Sequence, residues 1–180
     1  MHVRYGSAQG LSVLEESTGE DLGILSGVVL HPDELKVEGF FVRMQGFFHG
    51  EDLFLPSAAI QHWGTRVRVG HAHHIAPISE LVRMQSILES GRTILGQKIL
   101  GEAGEDLGTC RDVQFSTMDF SLEWIFPKKR LRWRRPIPVS AILEVRPDAV
   151  VVRDLQAVRE GGTVLPVLSP LDPTGQIATS

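Results

Sequence analysis

Apolar and polar residues alternate over short stretches, with the period of two expected of half-buried strands, and glycine or proline cuts each stretch short. Val13 and Leu14 open a first strand. Gly-Glu-Asp-Leu-Gly at 19–23 reverses it as a tight hairpin, because glycine tolerates a positive φ. Residues 24–30 form the return strand and His31-Pro32-Asp33-Glu34 the next turn. A strand over 36–44 follows, and Gly46 and Gly50 bracket a further hairpin. Residues 53–55 lead to a single helical or 3-10 turn over 56–60, and residues 65–69 close the unit. Between 77 and 91 the period changes to about 3.6 through Ile78, Leu81, Val82, Gln85, Leu88 and Glu89. A helix is expected there, with Ser79 as N-cap, Gly91 as stop, and Leu81, Met84 and Leu88 against the core. From Val158 onward Gly161, Gly162, Pro166, Pro170, Pro173 and Gly175 interrupt the pattern, which predicts an irregular or disordered tail over 156–180.

The pattern repeats. Gly-Glu-Asp-Leu-Gly returns at 104–108, 85 residues after its first occurrence. Upstream, Gly10-Leu11-Ser12-Val13 answers Gly96-Gln97-Lys98-Ile99. Downstream, Val37-Glu38-Gly39-Phe40-Phe41 answers Leu122-Glu123-Trp124-Ile125-Phe126, and Pro56-Ser57-Ala58-Ala59-Ile60 answers Pro138-Val139-Ser140-Ala141-Ile142. Val67-Arg68-Val69 then answers Val150-Val151-Val152. Order is kept while the offset drifts only from 86 to 82, as loop insertions and deletions would produce, so an internal duplication of a small β domain is expected.

Each repeat carries a Gly-x-x-Val/Ile opening, the Gly-Glu-Asp-Leu-Gly segment, an amphipathic middle strand, and a Pro-x-Ser-Ala type turn before a valine-rich last strand. This combination resembles the PRC-barrel family, which includes the cytoplasmic barrel of the photosynthetic reaction-centre H subunit and the C-terminal barrel of the bacterial ribosome-maturation factor. The resemblance implies a mainly β chain with two small barrels related by duplication and joined by a short helix. Repeat one would cover 8–75, the helical linker 76–92 and repeat two 93–155. It also implies an adaptor or assembly role without catalysis. Neither the membrane anchor of the H subunit nor an RNA-processing partner domain is carried over.

Composition changes this picture little. Apolar residues make up 42%, which suits a globular chain. The net charge of −4 argues against a protein devoted to nucleic acid. A single cysteine, Cys110, excludes an intrachain disulfide. No signal-peptide pattern and no run of about 20 apolar residues is present, so a cytoplasmic location is expected.

Candidate chemistry is concentrated in Lys128-Lys129-Arg130-Leu131-Arg132-Trp133-Arg134-Arg135, which holds six of the 18 basic residues. Without those six cations the rest of the chain carries −10. On a strand, Arg130, Arg132 and Arg134 would project from one side, opposite Leu131, Trp133 and Arg135. Guanidinium groups grip phosphates or carboxylates with paired hydrogen bonds, and Trp133 could stack on a base. The competing reading is a solvated hairpin whose arginines pair with the chain's own acids.

The segment His71-Ala72-His73-His74 is a weaker candidate. His71 and His73 would share a strand face and could chelate a divalent ion, with His62, His49 and Asp52 as unplaced additional ligands. The Glu20-Asp21 and Glu105-Asp106 pairs point opposite ways at a turn and are expected to be structural. Cys110 has no activating histidine. Phe40, Phe41, Phe47, Phe48, Phe54, Trp63 and Trp124 supply aromatics that cannot all enter one core, and inter-barrel packing is their expected use.

The function expected from the sequence is therefore a non-catalytic adaptor without cofactor, binding a protein or another anionic macromolecule through Lys128, Lys129, Arg130, Arg132, Trp133, Arg134 and Arg135, with a homo-oligomer left open. An RNA- or ribosome-associated factor and a metal-binding protein using His71–His74 are the alternatives.

Overall fold

The computed structural model describes residues 1–44 and 53–153. The expected hairpin at Gly46–Gly50, together with Phe47, Phe48, His49 and Asp52, lies outside the described residues, as does the expected tail. The chain is mainly β. Strand β1 (His2–Arg4) and a short helix α1 (Tyr5–Ala8) precede β2 (Ser12–Glu15), β3 (Asp21–His31) and β4 (Lys36–Arg43). Next come β5 (Leu53–Pro56), a 3-10 turn at Ser57–Ala59, β6 (Ile60–Trp63) and β7 (Val67–Val69). A connecting segment holds β8 (Ala76–Pro77) and α2 (Val82–Glu89). The second half runs through β9 (Lys98–Gly101), β10 (Asp106–Ser116), β11 (Leu122–Lys129), β12 (Arg132–Trp133) and β13 (Ile137–Pro138). A 3-10 turn at Val139–Ala141, β14 (Ile142–Val145) and β15 (Ala149–Val152) complete it.

Both halves order their strands in the same way. The first sheet reads β6-β7-β2-β3-β4-β5-β8, and the second reads β14-β15-β9-β10-β11-β12, with β1 on β10 and β13 on β11. In each, the first strand pairs in parallel with the last: Val13 faces Val67 and Ile99 faces Val150. All other ladders are antiparallel.

Local geometry repeats too. Asp21 Oδ1 accepts the Gly23 amide at 2.9 Å, and Asp106 Oδ1 accepts the Gly108 amide at 2.9 Å. Gly23 and Gly108 have φ of 124° and 112°, and a β-carbon would stand 2.5 Å from the Arg43 carbonyl oxygen and 2.8 Å from that of Lys128. Only glycine allows this approach. These glycines lie inside β3 and β10 at register shifts rather than in the hairpin turns, which corrects the expectation that Gly-Glu-Asp-Leu-Gly is itself the reversal. Asp21 and Asp106 hold these bulges through their carboxylates rather than serving the reversal itself.

The two halves meet at the far ends of their long hairpins. Leu35 and Phe120, 85 residues apart, both adopt left-handed backbone, with φ of 52° and 57°. Val37 N donates to Phe120 O and Leu122 N to Leu35 O, each at 2.8 Å, a reciprocal pair across the seam. Phe40, Trp63, Phe115 and Phe120 stack over it, with ring centres 5.3–6.2 Å apart. One apolar cluster runs through both halves, from Val13 and Phe40 to Ile125 and Val152. Inter-half aromatic packing is thus the use made of Phe40 and Trp63. Trp124 is instead 39% exposed, and Phe41 faces away from the seam onto Phe54.

Closed barrels are not found. Among the described residues no ladder joins β6 to β5 or β8, or β14 to β11 or β12. In place of two separate barrel interiors, one apolar cluster includes residues of both open sheets. Helix α2 is shorter than expected, begins after Leu81 with no side-chain cap, and leaves Ser79 in a preceding 3-10 turn. Gly91 does follow it at φ 64°. Leu81 and Met84 pack with Val29, Phe41 and Phe54, whereas Leu88 is 48% exposed.

Two outcomes follow from the shared core. Trp63→Ala should lower stability by about 2–3 kcal/mol, near the lower range for large aromatic truncations because the ring is only half-buried. It should do so within one cooperative transition in denaturant; two separated transitions would show that the halves fold independently. Across the same seam Arg92 grips Asp33 at 2.6 and 2.7 Å, and its hydrogen bonds hold the Asp33 carboxyl below the usual range. A depressed folded-state pKa gives stability that is complete above the unfolded value of about 3.9 and lost as pH falls through the folded value. The melting-temperature advantage of the wild type over Asp33→Asn should accordingly be present at neutral pH, shrink as pH falls below the unfolded value, and disappear once Asp33 is protonated in the folded state.

Candidate partner-binding surface

The basic run is a hairpin, not one strand. β11 ends at Lys129, the chain reverses through Arg130 and Leu131, and β12 returns with Lys129 opposite Arg132 and Lys128 opposite Trp133. Arg130 and Leu131 have φ of 47° and 68°, the signature of a type I′ turn. The expected single row of Arg130, Arg132 and Arg134 is therefore replaced by cations on both arms and the tip, because chain reversal breaks the alternation. Two adjacent non-glycine residues in left-handed backbone cost about 1–2 kcal/mol each. Leu131 recovers nothing by packing, being 89% exposed.

Residues 130–135 are all exposed, while Lys128 and Lys129 are half-buried. Lys129 Nζ reaches the Asp106 carbonyl at 2.6 Å and its carboxylate at 3.3 Å. That carboxyl is held low first by the Gly108 amide and then by Lys129. Lys128 Nζ lies 5.5 Å from the centre of the Trp133 ring. Among the described residues, Arg130, Arg132, Arg134 and Arg135 form no ion pair with the chain's own acids.

The base of the hairpin is braced from the N-terminus, a contribution that the sequence did not reveal. β1 adds to β10, with Val3 opposite Phe115. The Arg4 guanidinium lies 4.1 Å from the Phe126 ring centre and 5.4 Å from that of Trp133, and pairs with Asp112 at 2.8 Å. Asp112, the sole buried charged residue among those described, accepts the Gly6 and Val113 amides at 2.9 Å each. In the sequence Asp112 lies between Cys110 and Val113, both buried, and an acid buried beside them demands such partners.

Two hollows adjoin the hairpin. One, of about 1100 Å³, has Lys98, Arg111, Lys128, Lys129 and Arg130 around it against Asp106 and Asp148. The other, of about 610 Å³, opens between the halves, where Tyr5, Val28, Phe41 and Leu95 give it an apolar wall. Gly96, Arg111 and Trp133 line both, so the two adjoin.

The remaining candidates divide. His71, His73 and His74 belong to a 3-10 turn rather than a strand, yet their ring centres gather within 4.5–5.9 Å. His71 Nδ1 faces Glu15 at 3.6 Å, and His74 Nδ1 is buried without a hydrogen-bond partner. Among the described residues, however, the only trio whose ligand atoms all lie within 4.8 Å is His31, Glu34 and Glu38, which the sequence reading did not single out. His31 Nδ1 accepts the Asp33 and Glu34 amides at 3.2 and 3.1 Å, so its proton resides on Nε2 and neither nitrogen is free for a metal. His62 is exposed on β6, away from a converging set.

Cys110 is fully buried, and burial pushes its thiol up to about 12. Its Sγ donates to the Asp112 carbonyl at 3.5 Å. No helix among the described residues is long and apolar enough to cross a membrane. Neither a protein-family model nor a curated protein matches the chain.

Native protein at pH 8 should resist thiol alkylation, and denatured protein should take up one label per chain, as mass spectrometry would show. Rapid labelling of the native state would contradict the burial of Cys110.

Proposed function

We propose that this chain is a tandem of PRC-barrel-like units, produced by duplication, that acts as a non-catalytic adaptor by docking an acidic protein partner on the β11–β12 hairpin. The duplication is supported by the matched strand orders, the paired glycines at 23 and 108, and the reciprocal bonds between residues 35–37 and 120–122. Docking rests on one observation above all: four arginines, at 130, 132, 134 and 135, stand exposed without ion pairs on a chain whose remainder is strongly acidic.

Three features favour a partner over mere solvation. The tip is strained and displays Leu131 to water. Trp133 is 54% exposed beside its cations. Arg4 and Asp112 fix the hairpin base, which lowers the entropy lost on binding. An RNA partner fits less well, because Trp133 is the lone aromatic lining the groove and offers no run of stacking platforms. The metal reading ranks behind both, since among the described residues the His71–His74 rings lack a converged set of ligand atoms.

Replacing Arg130, Arg132 and Arg134 by glutamate should leave the circular dichroism spectrum and melting temperature near wild type, because all three are exposed. The same variant should lose partner capture from native cells by at least about tenfold, from removal and reversal of several charge pairs. Capture unchanged by the triple substitution would refute the docking role.

A further inference from the structure

We infer that the hollow between the halves is an anchor pocket, and that the partner's docking element is an extended acidic peptide carrying one aromatic side chain, which enters it. This inference rests on the docking reading and names the ligand for that surface. The basic groove and the apolar hollow share Gly96, Arg111 and Trp133, so a single extended chain can occupy both. The groove offers five cations against two carboxylates, and one of those carboxylates, Asp106, is already engaged by Lys129. A segment lying in it should carry carboxylates. Arg111 is exposed, forms no ion pair among the described residues, and stands where the two hollows meet, placed to fork a carboxylate next to the anchor.

The hollow is different in kind. Tyr5, Val28, Phe41 and Leu95 are half-buried and present apolar surface from both halves. Gly27 keeps the floor low, since a β-carbon there would come within 2.8 Å of the Phe41 ring. Its volume of about 610 Å³ exceeds what a single aromatic side chain fills, leaving room for the adjoining peptide backbone. Trp133 at the mouth can stack on an entering ring, and rigid aromatic anchors in a desolvated pocket dominate such interfaces. A nucleic acid would fill the groove with phosphates yet find no run of aromatic platforms, because Trp133 is the lone aromatic lining it.

The test uses the full chain and two fluorescein-labelled peptides, each of four glutamates flanking a central phenylalanine or a central alanine, with a labelled oligouridylate as the third probe. Anisotropy at about 150 mM salt should show the phenylalanine peptide binding about tenfold more tightly than the alanine peptide. Val28→Trp should take the anchor's place against the apolar wall and bring the phenylalanine peptide down to the alanine peptide's affinity. Val28→Thr, which keeps the volume and the charge but makes the wall polar, should narrow the same difference if the bulkier side chain disturbs folding. Arg111→Glu should weaken both peptides.

Equal affinity for the two peptides, with both still lost on reversing Arg130, Arg132 and Arg134, would overturn the anchor pocket and leave docking intact. Failure of both peptides to bind even at low salt would overturn the inference together with the docking reading. Tighter binding of the oligouridylate than of either peptide would replace the peptide ligand by RNA.

Discussion

The reciprocal seam between residues 35–37 and 120–122 is the constraint on which the rest of the molecule depends. Each half is an open sheet, and each unit, at roughly 60 residues, would bury a marginal fraction of its surface alone. Joined at the hairpin ends, the two share one apolar cluster. The two backbone bonds at 2.8 Å set the register, and the rings of Phe40, Trp63, Phe115 and Phe120 supply the apolar area. The left-handed residues Leu35 and Phe120 are the visible cost of bringing two hairpin ends so close.

Matched positions then take on different work outside the seam. Gly27 and Asp112 lie 85 residues apart, as do Phe41 and Phe126. In the first half the absence of a side chain at 27 lets Phe41 lie close, and α2 covers that ring through Leu81 and Met84. In the second half Asp112 draws in Arg4, whose guanidinium covers Phe126 instead. The outer faces are thus closed by a helix on one side and by the N-terminal strap on the other. This difference places Arg4 under Trp133 and gives only the second half a braced cationic hairpin among the described residues.

Much of this was legible in the chain, and the exceptions have physical causes. Strand positions were readable because alternation and β-branched residues coincide with the glycine and proline breaks, as at Val67–Val69 and Ala149–Val152. The 3-10 turns after Pro56 and Pro138 followed from proline fixing the approach to Ser-Ala. What could not be read were non-local facts. Gly23 and Gly108 look like turn residues, and only the neighbouring carbonyls of Arg43 and Lys128 reveal them as bulge residues. Sheet closure is invisible because an apolar face has the same pattern whether it wraps on itself or on a second sheet. The Arg4–Asp112 pair spans 108 positions, beyond any local signal. The run 128–135 was readable as charge, with the hairpin only as the competing reading, since Arg130-Leu131 lacks the Asn-Gly or Asp-Gly sequence that announces a type I′ turn.

That missing turn signature bears directly on how the surface works. A hairpin chosen for folding alone would place glycine or asparagine at its tip and keep a leucine out of water. Here the tip accepts left-handed strain at two side-chain-bearing residues and holds like charges together on both arms, while the Arg4–Asp112 pair braces its base. In the proposed complex an acidic surface with apolar content settles over the tip and the hollow behind it. Its counter-charge would quiet the mutual repulsion of the arginines, and Leu131 and Trp133 would leave water together. The acidic remainder of the chain would discourage such a partner from binding anywhere else, so the same charge asymmetry would set the specificity of that docking.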